Sequence, residues 1–434
     1  MMGTELRQRV RNAVDTVRRP ANSLYERNAR NVMIDGMGVG LVQGVGTFLS
    51  VFLARLGASN VVVGLLTAMP AIAGALLAIP LGQFIGRQQH LILWYARSRL
   101  WVLSSYAFTG LVPFLFGNNW APAVIIAIWA AATIPQTLVN ICFTLVMSAV
   151  AGPTKRLELM SRRWTTLGIS TALSAALAGW ALEQISFPLN YQTVFICSFL
   201  GGLLSYAFST NIELPHAPQP STERVPWRTS LHKMRSMLAQ HRSFTQFVAS
   251  QFVFRFGMAM AIPLFPLYWV RTIGASDAAI GLITTVQSGI LLIAYALWTY
   301  VARKRGAGTV LLLCTFGLVL YPCLTALTSQ VWPLFVYAAL AGMFAAGTDL
   351  VIFDVLIATA PEEGRGTAIG IYHTTNYIAT FVAPLIGAAA AGVVGIGTML
   401  LVAAFLRLLS GLLFLLLGVG REAPQAVKAV RSGT

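Results

Sequence analysis

Two side chains of opposite charge stand at places where an apolar sequence makes charge expensive. Arg255 lies about eleven residues into one long apolar segment and Asp349 about eight residues from the inner end of another, which at 1.5 Å per residue places both roughly 12 to 17 Å from the same boundary. A charge at the centre of a membrane-spanning helix costs about 2.5–3.5 kcal/mol on insertion scales, so each needs a partner or a purpose. The economical arrangement is an ion pair, either permanent or opened by substrate or proton. On the second reading Asp349 is a proton carrier, and Arg255 either holds an anionic group or serves as counter-charge. Asp35, at the inner end of the first apolar segment, is the other candidate proton carrier, or else a carboxylate at the water interface.

Uncharged polar side chains join them. Gln43 lies two turns beyond Asp35, Gln136 and Asn140 share a face at i and i+4, and Gln251 precedes Arg255 by one turn. His373, Asn376 and Tyr377 share another face at i, i+3 and i+4. Such groups suit a solvated cavity that orients a substrate, and each by itself also suits an interhelical hydrogen bond. Arg97, Arg99 and Arg407 are expected to snorkel to headgroups or pair with loops. Asp354 is expected to pair with Arg303 or Lys304 as an inner-side latch.

Catalytic chemistry finds no support. His90, His216, His232, His241 and His373 form no metal-binding spacing, and no phosphate-cradling glycine loop supports an ATP-driven pump. Cys142, Cys197, Cys314 and Cys323 make neither C-x-x-C nor zinc spacing. The expectation is a protein that is not an enzyme, with no metal and no cofactor, whose energy comes from an ion gradient or the substrate's own gradient.

The elements that must position these residues follow from composition. Of 434 residues, 56% are hydrophobic and 10% charged, against about a quarter charged in soluble domains. Apolar stretches long enough to cross a bilayer, about 20 residues, begin near residues 31, 60, 91, 121, 165, 191, 244, 278, 308, 331, 367 and 396. The expected fold is therefore an all-α membrane protein with twelve transmembrane helices. With the N-terminus inside, 24 of the 30 Lys and Arg fall on the cytoplasmic side, while Arg55 and Arg271 lie outside and Arg97, Arg99, Arg255 and Arg407 within spans. That asymmetry is the positive-inside signature of a multi-pass protein of the cytoplasmic (inner) membrane with both termini cytoplasmic. It also accounts for the net charge of +16 without nucleic acid. Residues 1–30 hold no apolar core of a cleaved signal, so the first span is the targeting signal.

The chain is duplicated. Leu56-Gly57-Ala58-Ser59, then Gly64-Leu65, recurs 217 residues later as Ile273-Gly274-Ala275-Ser276, then Gly281-Leu282. Pro153 and Trp164 match Pro361 and Tyr372 at an offset of 208. Six spans per half make the halves parallel, related by an axis along the membrane normal. The expected domains are a cytoplasmic segment (1–30), a six-helix bundle (31–210), a cytoplasmic linker (211–243), a second bundle (244–420) and a tail (421–434). Within the linker, Trp227, Leu231, Met234 and Leu238 at helical spacing, with Arg228, Lys233 and Arg235 elsewhere around the helix, predict an amphipathic helix on the anionic membrane surface or a solvated one. The stretch from Glu5 to Arg19 is a weaker case of the same. Gly36, Gly40 and Gly44 form a small-residue ridge, suited to close helix packing or to sliding.

These features resemble the major facilitator superfamily, from about Asn28 to Gly420. Gly82-Gln-Phe-Ile-Gly86-Arg87 is similar to that family's Gly-x-x-x-Asp-Arg loop, with Gly86 where Asp is usual, which removes the acidic member of its inner-gate charge relay. Pro361-Glu-Glu-Gly-Arg365-Gly366 resembles the family's Pro-x-x-x-Arg-Gly turn, and Ala383-Pro384-x-x-Gly387 is a familiar feature of its eleventh span. The fifth span lacks the Gly-Pro element of the proton-driven drug antiporters. The resemblance implies two pseudo-symmetric six-helix halves. It places Asp35, Gln136, Asn140, Arg255 and Asp349 beside a central cavity, Arg97, Arg99 and Arg407 outside it, and Gly82, Arg87, Arg303, Lys304, Asp354 and Arg365 at a cytoplasmic gate. The function expected is proton-coupled secondary transport, in the efflux direction, of a small organic solute by alternating access. The expected partners are that solute, a proton or other ion and the lipid bilayer, with a monomer as the expected state. The alternative is a non-transporting assembly or pigment- or lipid-delivery factor with the same fold.

Overall fold

A computed structural model describes residues 23–214, 227–361 and 365–419. Among them, twelve helices are long and apolar enough to cross a membrane. The first six are Leu24–Arg55, Asn60–Leu77, Leu91–Gly117, Asn119–Ala151, Glu158–Gln184 and Leu189–Thr210. The remaining six are Arg242–Ile273, Asp277–Arg305, Ala307–Ala326, Trp332–Thr359, Thr367–Val394 and Ile396–Leu416. No strand occurs among the described residues. The protein is thus the multi-pass helical membrane protein expected from its composition.

The described residues form two compact units: 23–46, 77–117 and 127–214 in one, and 47–76, 118–126, 227–361 and 365–419 in the other. This partition differs from boundaries drawn at the linker alone, because the second unit takes in the end of the first span and most of the second. The reason is close packing. A Cβ on Gly64 of the second span would stand 2.7 Å from the Ala388 methyl and 3.0 Å from the Pro384 carbonyl of the eleventh.

In the first unit the glycine ridge seats the first span on the fifth and sixth. A Cβ at Gly40 would overlap the Leu167 carbonyl and lie 2.9 Å from the Ser170 Cβ, and one at Gly44 would lie 2.5 Å from the Thr171 carbonyl. Gly38 meets the Gly201 carbonyl of the sixth span in the same way, at 2.6 Å. Contacts this close let lipid-embedded backbones gain packing that Leu-lined surfaces cannot. Gly40→Val is expected to cost at least about 1–3 kcal/mol by overpacking. Thermal unfolding in detergent measures this, and an unchanged midpoint would show that the ridge does not set the helix spacing.

The duplicated turn is duplicated in conformation too. Gly57 and Gly274 both take positive φ, 79° and 69°, the left-handed helix terminus that glycine adopts without a Cβ penalty. Two residues on, Ser59 and Ser276 each accept a bond from a first-turn backbone N–H, of Val62 at 3.4 Å and of Ala279 at 3.2 Å. A glycine stop followed by a serine start makes the same corner twice.

The predicted linker helix forms over Trp227–Gln240. Its described apolar side chains meet protein: Met237 is buried, and Met234 and Leu238, half-buried, pack against a core containing Phe244, Phe247, Val310 and Val355. The Thr245 hydroxyl donates to the Leu238 carbonyl at 2.6 Å, fixing the turn into the seventh span. The side chains of Trp227, Arg228, Leu231 and Lys233 lie outside the described residues, as does the stretch from Glu5 to Arg19.

Candidate functional site

Arg255 projects from the seventh span and its Nε donates to the Thr380 hydroxyl of the eleventh at 3.2 Å. That bond brings together two faces recognised separately in the sequence. Gln251 is one turn before Arg255, and Asn376 is one turn before Thr380. Asp349 of the tenth span is exposed and lies within electrostatic reach of both Arg255 and Tyr295 of the eighth. His373, exposed, and Tyr377 flank the group with ring centroids 6.5 Å apart. Tyr377 also sits under Gly74 of the second span, where a Cβ would come within 2.9 Å of its ring. Five spans of the second unit therefore contribute to one polar region.

A closed Arg255–Asp349 pair, one of the two arrangements expected, is not formed: no ion pair joins them within 4.0 Å, and neither has another salt bridge among the described residues. Two buried acceptors on the seventh and eleventh spans are also unsatisfied, Gln251 Oε1 and Asn376 Oδ1. Orphaned buried oxygens carry a desolvation penalty of about 1–3 kcal/mol each. Thr380 and Tyr295 were missed from sequence, although Thr380 continues the Asn376 face at i+4.

Asp35 is not placed as expected. It is fully buried inside the first unit, not at a water interface. Arg99 reaches its carboxylate at 3.3 Å and Arg163 at 3.4 Å, the Ser205 hydroxyl donates at 2.6 Å and the Tyr95 hydroxyl at 3.3 Å. Arg99 therefore does not snorkel, and Arg163, one of the 24 cations assigned to the cytoplasmic side from sequence, is inside the fifth span and 3% exposed. One carboxylate faces two guanidiniums. Aromatic faces meet the surplus positive charge, with Arg99 4.5 Å from the Tyr95 ring centroid and Arg163 4.6 Å from that of Phe143. This is a structural knot joining the first, third, fifth and sixth spans.

Arg407 is likewise buried, 2% exposed, and does not reach headgroups. Its Nη1 donates to the Leu318 carbonyl at 2.8 Å. Pro322 lies inside that ninth-span helix, and a proline removes the N–H that would bond the carbonyl four residues earlier, here Leu318. The guanidinium thus satisfies an acceptor the proline has freed. Arg97 is exposed, as expected of a peripheral cation.

In the first unit, Gln136 and Asn140 bond each other, Nε2 to Oδ1 at 3.0 Å, and Gln43 is exposed. The expected inner latch is not made. Asp354 is exposed without an ion pair among the described residues, and Lys304 folds back over Tyr300, 4.5 Å from its ring centroid. Gly82 has no neighbour crowding its Cβ position and Arg87 is exposed. The side chain of Arg365 lies outside the described residues. Exposed side chains gain little from pairing across water, which explains why this latch is open.

A different latch, not foreseen, forms at the duplicated turns. Arg55 donates to Asp277 Oδ1 at 2.7 and 2.9 Å and to the Ala275 carbonyl at 3.1 Å. Reciprocally, Arg271 donates to the Ala58 carbonyl and to Asn60 Oδ1. Ala58 and Ala275 are equivalent in the duplication, as are Asn60 and Asp277. Arg271 stands one residue out of register with Arg55, in a π-helical turn over Trp269–Ile273, and one extra residue is what such a turn accommodates.

Twelve spans define the class, a multi-pass helical membrane protein. Residues 247–433 match the sequence model of the Major Facilitator Superfamily. The solved nucleoside transporter NupG, in a mutant form, superposes with a TM-score of 0.73 at 10% identity, covering 90% of this chain and 99% of that one. A POT family transporter in complex with a thioalcohol-conjugated peptide gives 0.70 at 10% identity, covering 90% and 96%. The xylose transporter XylE from E. coli gives 0.64 at 13% identity, covering 90% and 95%. No curated protein matches by sequence. Residues 247–433 thus carry the sequence pattern of the Major Facilitator Superfamily, and the chain as a whole shares the fold of these solved transporters.

Proposed function

We propose that the chain couples proton movement to the export of a small organic solute across the cytoplasmic membrane by alternating access. The observation that carries this reading is the unpaired Arg255 and Asp349. Opposite charges within reach of each other in a membrane span, yet not closed into a pair, suit an exchangeable partner better than a permanent tie. Asp349 is the coupling carboxylate and Arg255 the solute anchor, with Gln251, Asn376, Tyr377 and His373 orienting the solute. Asp35 has no part in coupling, because its carboxylate is neutralised inside the first unit. With Arg163 inside the fifth span, Lys and Arg divide 23 to 2 between the two sides, which supports cytoplasmic termini.

In proteoliposomes carrying a proton gradient, wild-type protein should drive solute against its concentration gradient. Asp349→Asn should lose nearly all gradient-driven movement while still exchanging solute at equal pH when the solute is saturating. Normal uphill movement by this variant would remove Asp349 from coupling, and binding without flux in the wild type would favour a non-transporting role.

A further inference from the structure

The polar region of the second unit is complementary to a particular kind of molecule. On one side, the terminal nitrogens of Arg255 have no hydrogen-bond or ion-pair partner among the described residues, the Nε alone being held by Thr380. The seventh, tenth and eleventh spans also carry acceptors open to a donor. These are the Asp349 carboxylate, the Gln251 Oε1 of a residue only 4% exposed, and the Asn376 Oδ1. The two formal charges cancel, so the site as a whole is neutral.

A simple anion would satisfy Arg255 while leaving Asp349 and both amide oxygens unmatched, and the carboxylate would oppose it. A simple cation would do the reverse against Arg255. An uncharged solute would leave two charges unpaired in a medium where unpaired charge is costly. A zwitterion matches both charges and adds no net charge to a membrane-embedded site. Resting on the transport reading above, we infer that the solute is a small zwitterion of the α-amino-acid type, its carboxylate on Arg255 and its ammonium on Asp349, Gln251 and Asn376. His373, Tyr377 and Tyr295 border the site, and their rings suit an apolar or aromatic side chain on that solute.

The free α-amino acids, each tested singly against purified full-length protein by thermal shift and calorimetry, are the first probes. At least one should raise the unfolding midpoint in a concentration-dependent way. Its N-acetyl form, which lacks the ammonium, and its carboxamide form, which lacks the carboxylate, should each bind about tenfold more weakly or worse, as loss of a charge-assisted contact requires. In Arg255→Ala the acid and its carboxamide should become equivalent, and in Asp349→Asn the free and N-acetylated amines should. The blocked forms decide the matter on wild-type protein even if a variant fails to fold. Absence of binding by every amino acid, or binding of either blocked form as tightly as its parent, overturns the inference. Flux of a solute that lacks one of the two charges would overturn it while leaving the transport reading intact. Zwitterion binding with the expected selectivity but no flux would do the opposite.

Discussion

Asp35→Ala is expected to destabilise the protein by about 3–5 kcal/mol, the cost of stranding buried charge. The carboxylate has no exposure, and Arg99 and Arg163 have 5% and 3%. Removing it leaves two buried guanidiniums without the carboxylate that receives them. The Nε atoms of both arginines already lack partners, so the cluster has no spare acceptor to compensate. Thermal and denaturant unfolding in detergent are the measurements. A triple variant, Asp35→Leu with Arg99→Met and Arg163→Met, should recover most of the loss, because replacing a whole buried ionic group by apolar side chains is often neutral or better. Should Asp35→Ala unfold within about 1 kcal/mol of wild type, the cluster is not a stability element and its burial needs another explanation.

Breaking the reciprocal clamp at the duplicated turns should change exposure more than stability. Ala275 is 2% exposed beneath Arg55, so a cysteine placed there reports separation of the two turns by its rate of maleimide labelling. Cys197, which is exposed, is first replaced by serine. Asp277→Ala should accelerate labelling of Ala275→Cys by about tenfold, corresponding to loss of about 1.4 kcal/mol from charge-assisted bonds that are partly open to solvent. The duplication supplies the control. Exchanging the acceptors, Asn60→Asp with Asp277→Asn, leaves each arginine an oxygen partner and moves the carboxylate from one turn to the other, so labelling should stay near the wild-type rate. Fast labelling in the exchanged variant, or slow labelling in Asp277→Ala, would show that the clamp does not hold the turns.

Position along a helix was legible in the sequence, and direction around it was only partly so. Asp35 and Arg99 were placed in their spans, yet the pairing that buries them was not, because four helices must converge to bury a carboxylate that completely. Val39 and Arg255, equivalent once the extra residue of the π-helical turn is counted, serve different ends. Val39 is buried among Val42, Leu103 and Leu167, whereas Arg255 reaches across to Thr380. The same frame tolerates a charge only where a neighbour stands off. Thr380 and Tyr295 carried little signal of their own, since a hydroxyl in an apolar helix most often bonds its own backbone, as Thr375 does to Ile371 here.

The twelve spans, the duplicated corner and the one-sided Lys and Arg distribution came from the chain alone, because each depends on residue type at a given distance along it. Apolar length, a glycine followed by a serine, and charge counted between spans are one-dimensional properties. Which charges meet was decided by the fold. Asp35 is enclosed by Arg99 and Arg163, Arg407 is held on a carbonyl freed by Pro322, and Arg255 and Asp349 are left unpaired. Depth in a helix sets only height, while partnership also needs rotation about the axis and the identity of the adjoining helix, and both are set by packing across the bundle.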